Sequence, residues 1–181
     1  MKYNKNDLIL SVKNGRETQY IFFWGHTPDK GGKIKKSCLS QWYKCTFTVE
    51  GTVYHTAEQY MMAQKALLFG DKEIFSRIMQ AKEPDEYKKL GRMIRGFDEK
   101  IWAQNRCNIV IAGNTAKFSQ NDDLKSFLVS TGEKVLVEAS PYDNLWGIGI
   151  NASDDDCNDP EKWPGENLLG FCLMEARDNL K

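Results

Sequence analysis

Two carboxylates, Glu58 and Asp143, sit among neighbours that give them chemical meaning. Glu58 belongs to the run His55-Thr-Ala-Glu-Gln-Tyr-Met-Met-Ala-Gln-Lys65. There His55, Glu58, Met62 and Lys65 recur at spacings of three, four and three, which places them along one helical face. Glu58 falls in the first turn of a stretch otherwise bound for the core. A carboxylate near buried apolar surface is costly unless it is paired or put to use. Desolvation favours its neutral form, and the helix N-terminus opposes that. The plainer reading is an exposed first-turn Glu, a common stabilising choice.

Asp143 belongs to Glu138-Ala-Ser-Pro-Tyr-Asp143-Asn-Leu-Trp146-Gly-Ile-Gly-Ile150. Pro141 and Asp143 read as a turn after a strand, and Asp143 is equally an ordinary turn residue. Trp146 beside a glycine suggests a tight approach of backbone to something flat. Two carboxylates on separate elements, facing one cleft, can act on a glycosidic bond. One activates water or stabilises the cationic sugar, and the other orients water or the leaving group. Spacing alone does not bring Glu58 and Asp143 together.

Further candidates surround these two. Trp102 and Arg106 lie one turn apart on one face. An indole can stack on a base and an arginine can hold a phosphate, although Trp102 is also a natural core residue. Arg92, Arg95 and Arg106 with Lys65 could wall a positive pocket or serve surface salt bridges. In Trp163-Pro-Gly-Glu-Asn167-Leu-Leu-Gly170, Asn167 stands where loop becomes helix, as a cap or beside an anion at the helix start. The glycine- and lysine-rich loop 29–36 reads as exposed, with phosphate attraction as the sharper alternative. No GxGxxG, P-loop, GxSxG or HExxH pattern occurs, which sets aside Rossmann hydride transfer, nucleoside triphosphate hydrolysis and zinc peptidase chemistry. The two histidines are far apart, and the five cysteines form no CxxC pair. Reduced thiols and no metal site are expected.

The elements that must position these groups follow from periodicity and caps. Segment 20–24 is strand-like. Residues 42–49 alternate as a strand, Glu50-Gly51 turns, and 52–54 return. Thr56 caps a helix at about 57–69, with Gln59 as capping-box partner and Gly70 as stop. Asp71 caps a helix at about 72–80, and Pro84 opens another at about 84–93. Asp98 caps the longest, about 99–117. A short helix covers 121–129, short strands cover 135–138 and 145–150, and a last helix runs from 166 or 167 to about 178. Residues 151–165 read as loop. No repeat or linker divides the chain. The expected class is α+β, mostly helical, with a small antiparallel sheet.

Bulk properties bound the rest. At 181 residues the chain is one domain by length. Lysine plus arginine balances aspartate plus glutamate at 25 each, so there is no general pull toward nucleic acid or anionic membrane. No run approaches the roughly 20 apolar residues of a membrane helix, and the start is too polar for a signal peptide. A cytoplasmic protein is expected.

These segments together resemble the YbiA-like, or NADAR, family of N-glycosidases. The pieces that carry the resemblance are Phe23-Trp24-Gly25, the Tyr54–Ala66 helix motif, Gly91-Arg92, Trp102 and Lys117–Asn121. They continue with Leu128, Thr131-Gly132, Leu136–Ser140, Asp143–Gly149, Trp163–Gly170 and Met174–Arg177. They cover most of the chain from Tyr20 to Arg177, with no evident loss of a core motif. The resemblance implies one YbiA-like domain over 1–181, with its motif-bearing core at about 20–178. It implies an enzyme that hydrolyses an N-glycosidic bond, as in phosphorylated intermediates early in riboflavin biosynthesis. Removal of ADP-ribose from guanine in nucleic acid is the alternative, and a non-catalytic ADP-ribose-binding module is a third. The expected partner is thus a small ribosyl or nucleotide-like molecule, or ADP-ribosylated single-stranded nucleic acid, and no membrane. On this resemblance Glu58 and Asp143 are the catalytic carboxylates. Trp102, Trp146 and Asn167 contact substrate, and Lys65 holds phosphate or meets the opened ribose. Arg92 and Arg106 join them as candidate phosphate holders. The scheme requires neither metal nor cofactor.

Overall fold

In the computed structural model, which describes residues 1–181, four of the seven α-helices begin at a residue whose side chain accepts a free backbone N–H. Helix α1 spans Lys5–Lys13, where Asn4 accepts from the Asp7 N–H at 2.9 Å. None of its residues is fully buried, and only the partly buried Leu8 packs on the core, so its apolar stripe is too narrow to reveal a helix in sequence. Strand β1 covers Tyr20–Phe23. Strands β2 (Phe47–Val49) and β3 (Thr52–Tyr54) form a hairpin over Glu50 and Gly51. Both of those residues have positive φ, 49° and 76°, as a tight two-residue hairpin turn requires.

Helix α2 spans Ala57–Leu68. Thr56 Oγ1 accepts from the Gln59 N–H at 3.0 Å, and Gln59 Oε1 accepts from the His55 N–H at 2.8 Å. The capping exchange is therefore reciprocal but lands one residue before the cap. Helix α3 (Lys72–Gln80) is capped by Asp71, α4 (Pro84–Gly91) opens on its proline, and α5 (Glu99–Ser119) is capped by Asp98. Helix α6 (Asp122–Ser130), strand β4 (Val135–Glu138) and helix α7 (Leu168–Asp178) complete the order.

The class is α+β and mostly helical. The strands form two separate two-stranded sheets, one antiparallel and one parallel. The hairpin is antiparallel, but β1 pairs parallel to β4, with Tyr20 opposite Val135 and Phe23 opposite Glu138. The strand expected at 42–49 contracts to 47–49. The strand expected at 145–150 is absent. There, Asp143 Oδ1 accepts from the N–H groups of Leu145 and Trp146 at 3.0 and 2.8 Å and winds the chain into turns. The segment then folds so tightly that a Cβ on Gly165 would stand 2.2 Å from the Gly147 carbonyl oxygen.

Helix α2 packs on α3, α4 and α5, while α7 bridges α5 and β4. Tyr54 and Tyr60 meet edge-on at 5.0 Å in the core beneath α2. Arg177 is buried, and its guanidinium donates to Thr131 Oγ1 and the Lys134 carbonyl, each at 2.9 Å, tying α7 to the α6–β4 turn. All five cysteines are unpaired. No helix is long and apolar enough to cross a membrane.

Candidate active site

The N-terminus of α2, the C-terminal ends of β1 and β4, and α4 enclose a cavity of about 560 Å³. Glu58, Glu138 and Asp143 line it, faced by Lys65, Lys88 and Arg92. Trp42, Trp102 and Trp146 supply flat walls. Trp24 and Tyr142, 51% and 86% exposed, stand at its rim with their rings 6.1 Å apart.

Glu58 enters the cavity because Thr56 starts α2 and the Glu58 N–H donates to the Gln41 carbonyl at 2.9 Å. Gln41 is fixed in turn from α5. Asn114 Nδ2 donates to Gln41 Oε1 at 2.9 Å, and the buried Lys117 ammonium donates to the carbonyls of Cys38 and Ser40 at 2.7 and 2.9 Å. Burial lowers the Lys117 pKa. The loop it holds carries Trp42 against Glu58. Glu58 is 5% exposed. Its carboxyl is pushed up to about 7, first by burial and then by Asp143, while Lys88, Trp42 and Lys65 pull it down. At neutral pH it therefore exchanges readily between acid and base, the condition general acid–base work needs.

Lys65 lies two turns further along α2. Its ammonium donates to the Gly91 carbonyl at 3.0 Å and sits 4.2 Å from the Phe97 ring centroid and 5.4 Å from that of Trp102. Burial lowers its pKa, against Glu99 and Glu58, which raise it. Of the expected helical face, Glu58, Met62 and Lys65 reach the cavity, and His55 lies outside it.

Asp143 is held by its own turn: Oδ1 takes the two N–H groups already described, and its carboxylate borders the cavity. Glu58 and Asp143, far apart in sequence, thus share one cleft. Trp102 is both wall and core, lining the cavity while only 6% exposed. Arg92, at the C-terminal end of α4, lines the cavity as well.

Two expected contact residues stand elsewhere. Arg106 is not in the wall. It pairs with Glu99 at 3.1 Å, its side chain turned along α5. Asn167 is fully buried and does not reach the cavity. It begins α7 in the left-handed conformation (φ 54°), with no capping bond from its side chain. Its amide joins β4 instead, bonding the backbone at Glu138 and Leu136. Arg95, a third arginine considered for the wall, grips the buried Asp71 with two bonds, at 3.0 and 2.7 Å.

The cavity also contains groups that the sequence reading passed over. Lys88, on α4, and Trp42 are two. The third is Glu138, at the end of β4. Its Oε2 is buried without a hydrogen-bond partner, and burial, then Asp143 and Glu58, push its carboxyl up to about 8, opposed by Lys88. The available signal was an acid closing the otherwise apolar run Val135-Leu136-Val137. No group of three or more His, Cys, Asp or Glu side chains is arranged to hold a metal ion.

Clustered carboxyls, tryptophan walls and three cations line one cavity on a helical α+β frame, a donor set suited to breaking a glycosidic bond. The chain belongs to the NADAR family, whose domain profile matches residues 22–181. It is 46% identical over 166 residues to an N-glycosidase of Acanthamoeba polyphaga mimivirus, covering 88% of this chain and 95% of that protein. It is 28% identical over 181 residues to a riboflavin biosynthesis protein of Vibrio vulnificus, covering all of this chain and 44% of that longer protein. The NMR structure of the Escherichia coli protein YbiA superposes with a TM-score of 0.68 at 26% identity, covering 91% of this chain and 86% of that one.

Proposed function

We propose that the protein hydrolyses the N-glycosidic bond of a phosphorylated ribosylamine, such as a ribosylaminopyrimidine of the riboflavin pathway. The observation that carries this reading is the joint placement of Glu58 and Asp143 in one cavity with Lys65, Lys88, Arg92 and the tryptophan walls. An N-glycosidic bond breaks through an oxocarbenium-like sugar, which a fixed carboxylate stabilises as positive charge develops. Glu58 supplies that charge and accepts a proton from water, and Asp143 orients the water. Trp102 and Trp146 hold the ring, and the cations hold the sugar phosphate. The matching N-glycosidase and riboflavin-biosynthesis relatives support the same chemistry.

Product analysis by mass spectrometry tests it. The purified protein is offered a phosphoribosylaminouracil and, in parallel, ADP-ribosylated single-stranded DNA. Free aminouracil and ribose phosphate are the expected products. Release of ADP-ribose from DNA alone would move the assignment to nucleic-acid repair chemistry. Tight binding of ADP-ribose with no product from either would make the domain a binding module.

A further inference from the structure

We propose that Glu138 is a third working carboxyl of this site, the acid that protonates the departing nitrogen. The proposal rests on the N-glycosidase reading and adds to it the group that reading lacks. A ribosylamine nitrogen leaves poorly as an anion, so the C1–N bond breaks easily only if a proton reaches the nitrogen as its electron pair returns to it.

Three features of Glu138 fit that task. The first is its isolation. Asp143 has two backbone donors on one oxygen, whereas Glu138 Oε2 is buried with none. A buried carboxylate without donors is costly, and the neutral acid is much less so. The second is its surroundings. Asp143 and Glu58 disfavour its charge and Lys88 favours it, Lys65 and Arg92 line the same cavity, and burial outweighs Lys88. The group therefore holds its proton at neutral pH. The third is its rigidity. Its backbone N–H donates to Asn167, its carbonyl accepts from the Ile148 N–H at 2.9 Å, and its strand is paired with β1 at Phe23. A proton donor must come within hydrogen-bond reach of its target, and these three bonds fix the backbone from which the Glu138 carboxyl projects into the cavity.

The step balances. The C1–N bond breaks, its electron pair goes to nitrogen, and nitrogen takes the Glu138 proton. Water forms the new C1–O bond and gives a proton to the Glu58 carboxylate. Proton exchange with solvent then restores both groups.

The test compares two leaving groups on wild type and Glu138→Gln. One substrate is the phosphoribosylaminouracil. The other is phosphorylated para-nitrophenyl ribofuranoside, whose phenolate departs without a proton. We expect Glu138→Gln to lose about 100-fold or more in kcat on the amine and less than about fivefold on the phenolate. In wild type the amine reaction should slow as pH rises through about 8, and the phenolate reaction should show no such limb. That profile needs no variant, so a misfolded Glu138→Gln leaves the test intact. Equal losses on both substrates, or an amine profile without the alkaline limb, overturn the role of Glu138 and leave the N-glycosidase reading standing. A wild type inactive on both substrates overturns both.

Discussion

Asn167, at the start of α7, and Glu138, at the end of β4, are joined through the backbone. The Glu138 N–H donates to Asn167 Oδ1 at 3.0 Å, and Asn167 Nδ2 donates to the Leu136 carbonyl at 2.9 Å. One buried amide thus completes the strand as a neighbouring strand would, and α7 approaches so closely that a Cβ on Gly170 would lie 2.0 Å from the Leu136 oxygen. Helix and strand are bonded into one unit, and Glu138 lines the cavity from it.

Asn167→Ala should therefore act at a distance. It leaves the Glu138 N–H and the Leu136 carbonyl without partners and puts an ordinary residue at positive φ. We expect a loss of about 2–6 kcal/mol in stability, from about 1–3 kcal/mol for each of the two orphaned buried groups. Base release should fall with a smaller change in KM, because Asn167 lies outside the cavity. Denaturant unfolding and steady-state kinetics check both. A large KM effect at unchanged stability would place Asn167 on the substrate.

The raised carboxyls couple stability to pH. Glu58 and Glu138 sit near 7 and 8 in the fold against an ordinary 4.5, so the native state binds their protons more tightly than the unfolded chain does. That contribution is fully present below about pH 4.5 and is lost as pH rises through about 7 to 8. Glu58→Gln and Glu138→Gln have no charge to bury. Each variant should melt above the parent at about pH 9 and lose that advantage near pH 5, with a difference on the order of a few kcal/mol at about 1.4 kcal/mol per pKa unit. Melting curves across that range would show otherwise if parent and variants ran parallel.

Trp102 has two duties, so its truncation should show two effects. Trp102→Ala should lose about 3–5 kcal/mol of stability, as large-to-small core changes do, together with substrate use. Trp102→Phe keeps most of the packing and a flat face, and should recover melting more fully than kcat/KM. Normal kinetics in a destabilised Trp102→Ala variant would leave only the core role.

Much of the frame was legible because caps announce it. Thr56, Asp71, Pro84 and Asp98 each mark a helix start by local hydrogen bonding or a fixed φ, which tertiary contacts do not override. The segment 145–150 was misread because its apolar alternation is served by turns that Asp143 imposes and by close glycine contacts. Helix α1 carries little signal because it packs on the core only through the partly buried Leu8. Among the site residues, Glu58 and Asp143 stood out by their neighbours. Glu138 did not, because its character comes from burial beside two distant carboxyls, which no local pattern encodes. Asn167 and Arg106 had the right chemistry for a substrate contact, but their orientation depends on partners in β4 and α5. Lys117 is similar: a lysine in a helical run, its ammonium capping two carbonyls more than 70 residues away in sequence.

Lys117→Met should separate that structural role from chemistry. The apolar stem is kept, and the Cys38 and Ser40 carbonyls are left without a donor. We expect a loss of about 2–6 kcal/mol, at about 1–3 kcal/mol for each of the two orphaned groups, with Trp42 fluorescence altered as its loop loosens. Unchanged unfolding would mean that the loop is held from elsewhere.

Single-turnover base release by Glu58→Gln at saturating substrate bears on the mechanism most directly. The amide keeps size and polarity but neither stabilises positive charge on ribose nor accepts a proton from water. We predict a barrier raised by on the order of 3–5 kcal/mol, roughly a 100-fold to several-thousand-fold slower release, in a protein that melts no lower than its parent and still binds substrate. A first-turn Glu with no chemical role would leave the rate untouched. A folded Glu58→Gln variant releasing base within about threefold of the parent rate would contradict Glu58 as the principal catalytic carboxylate.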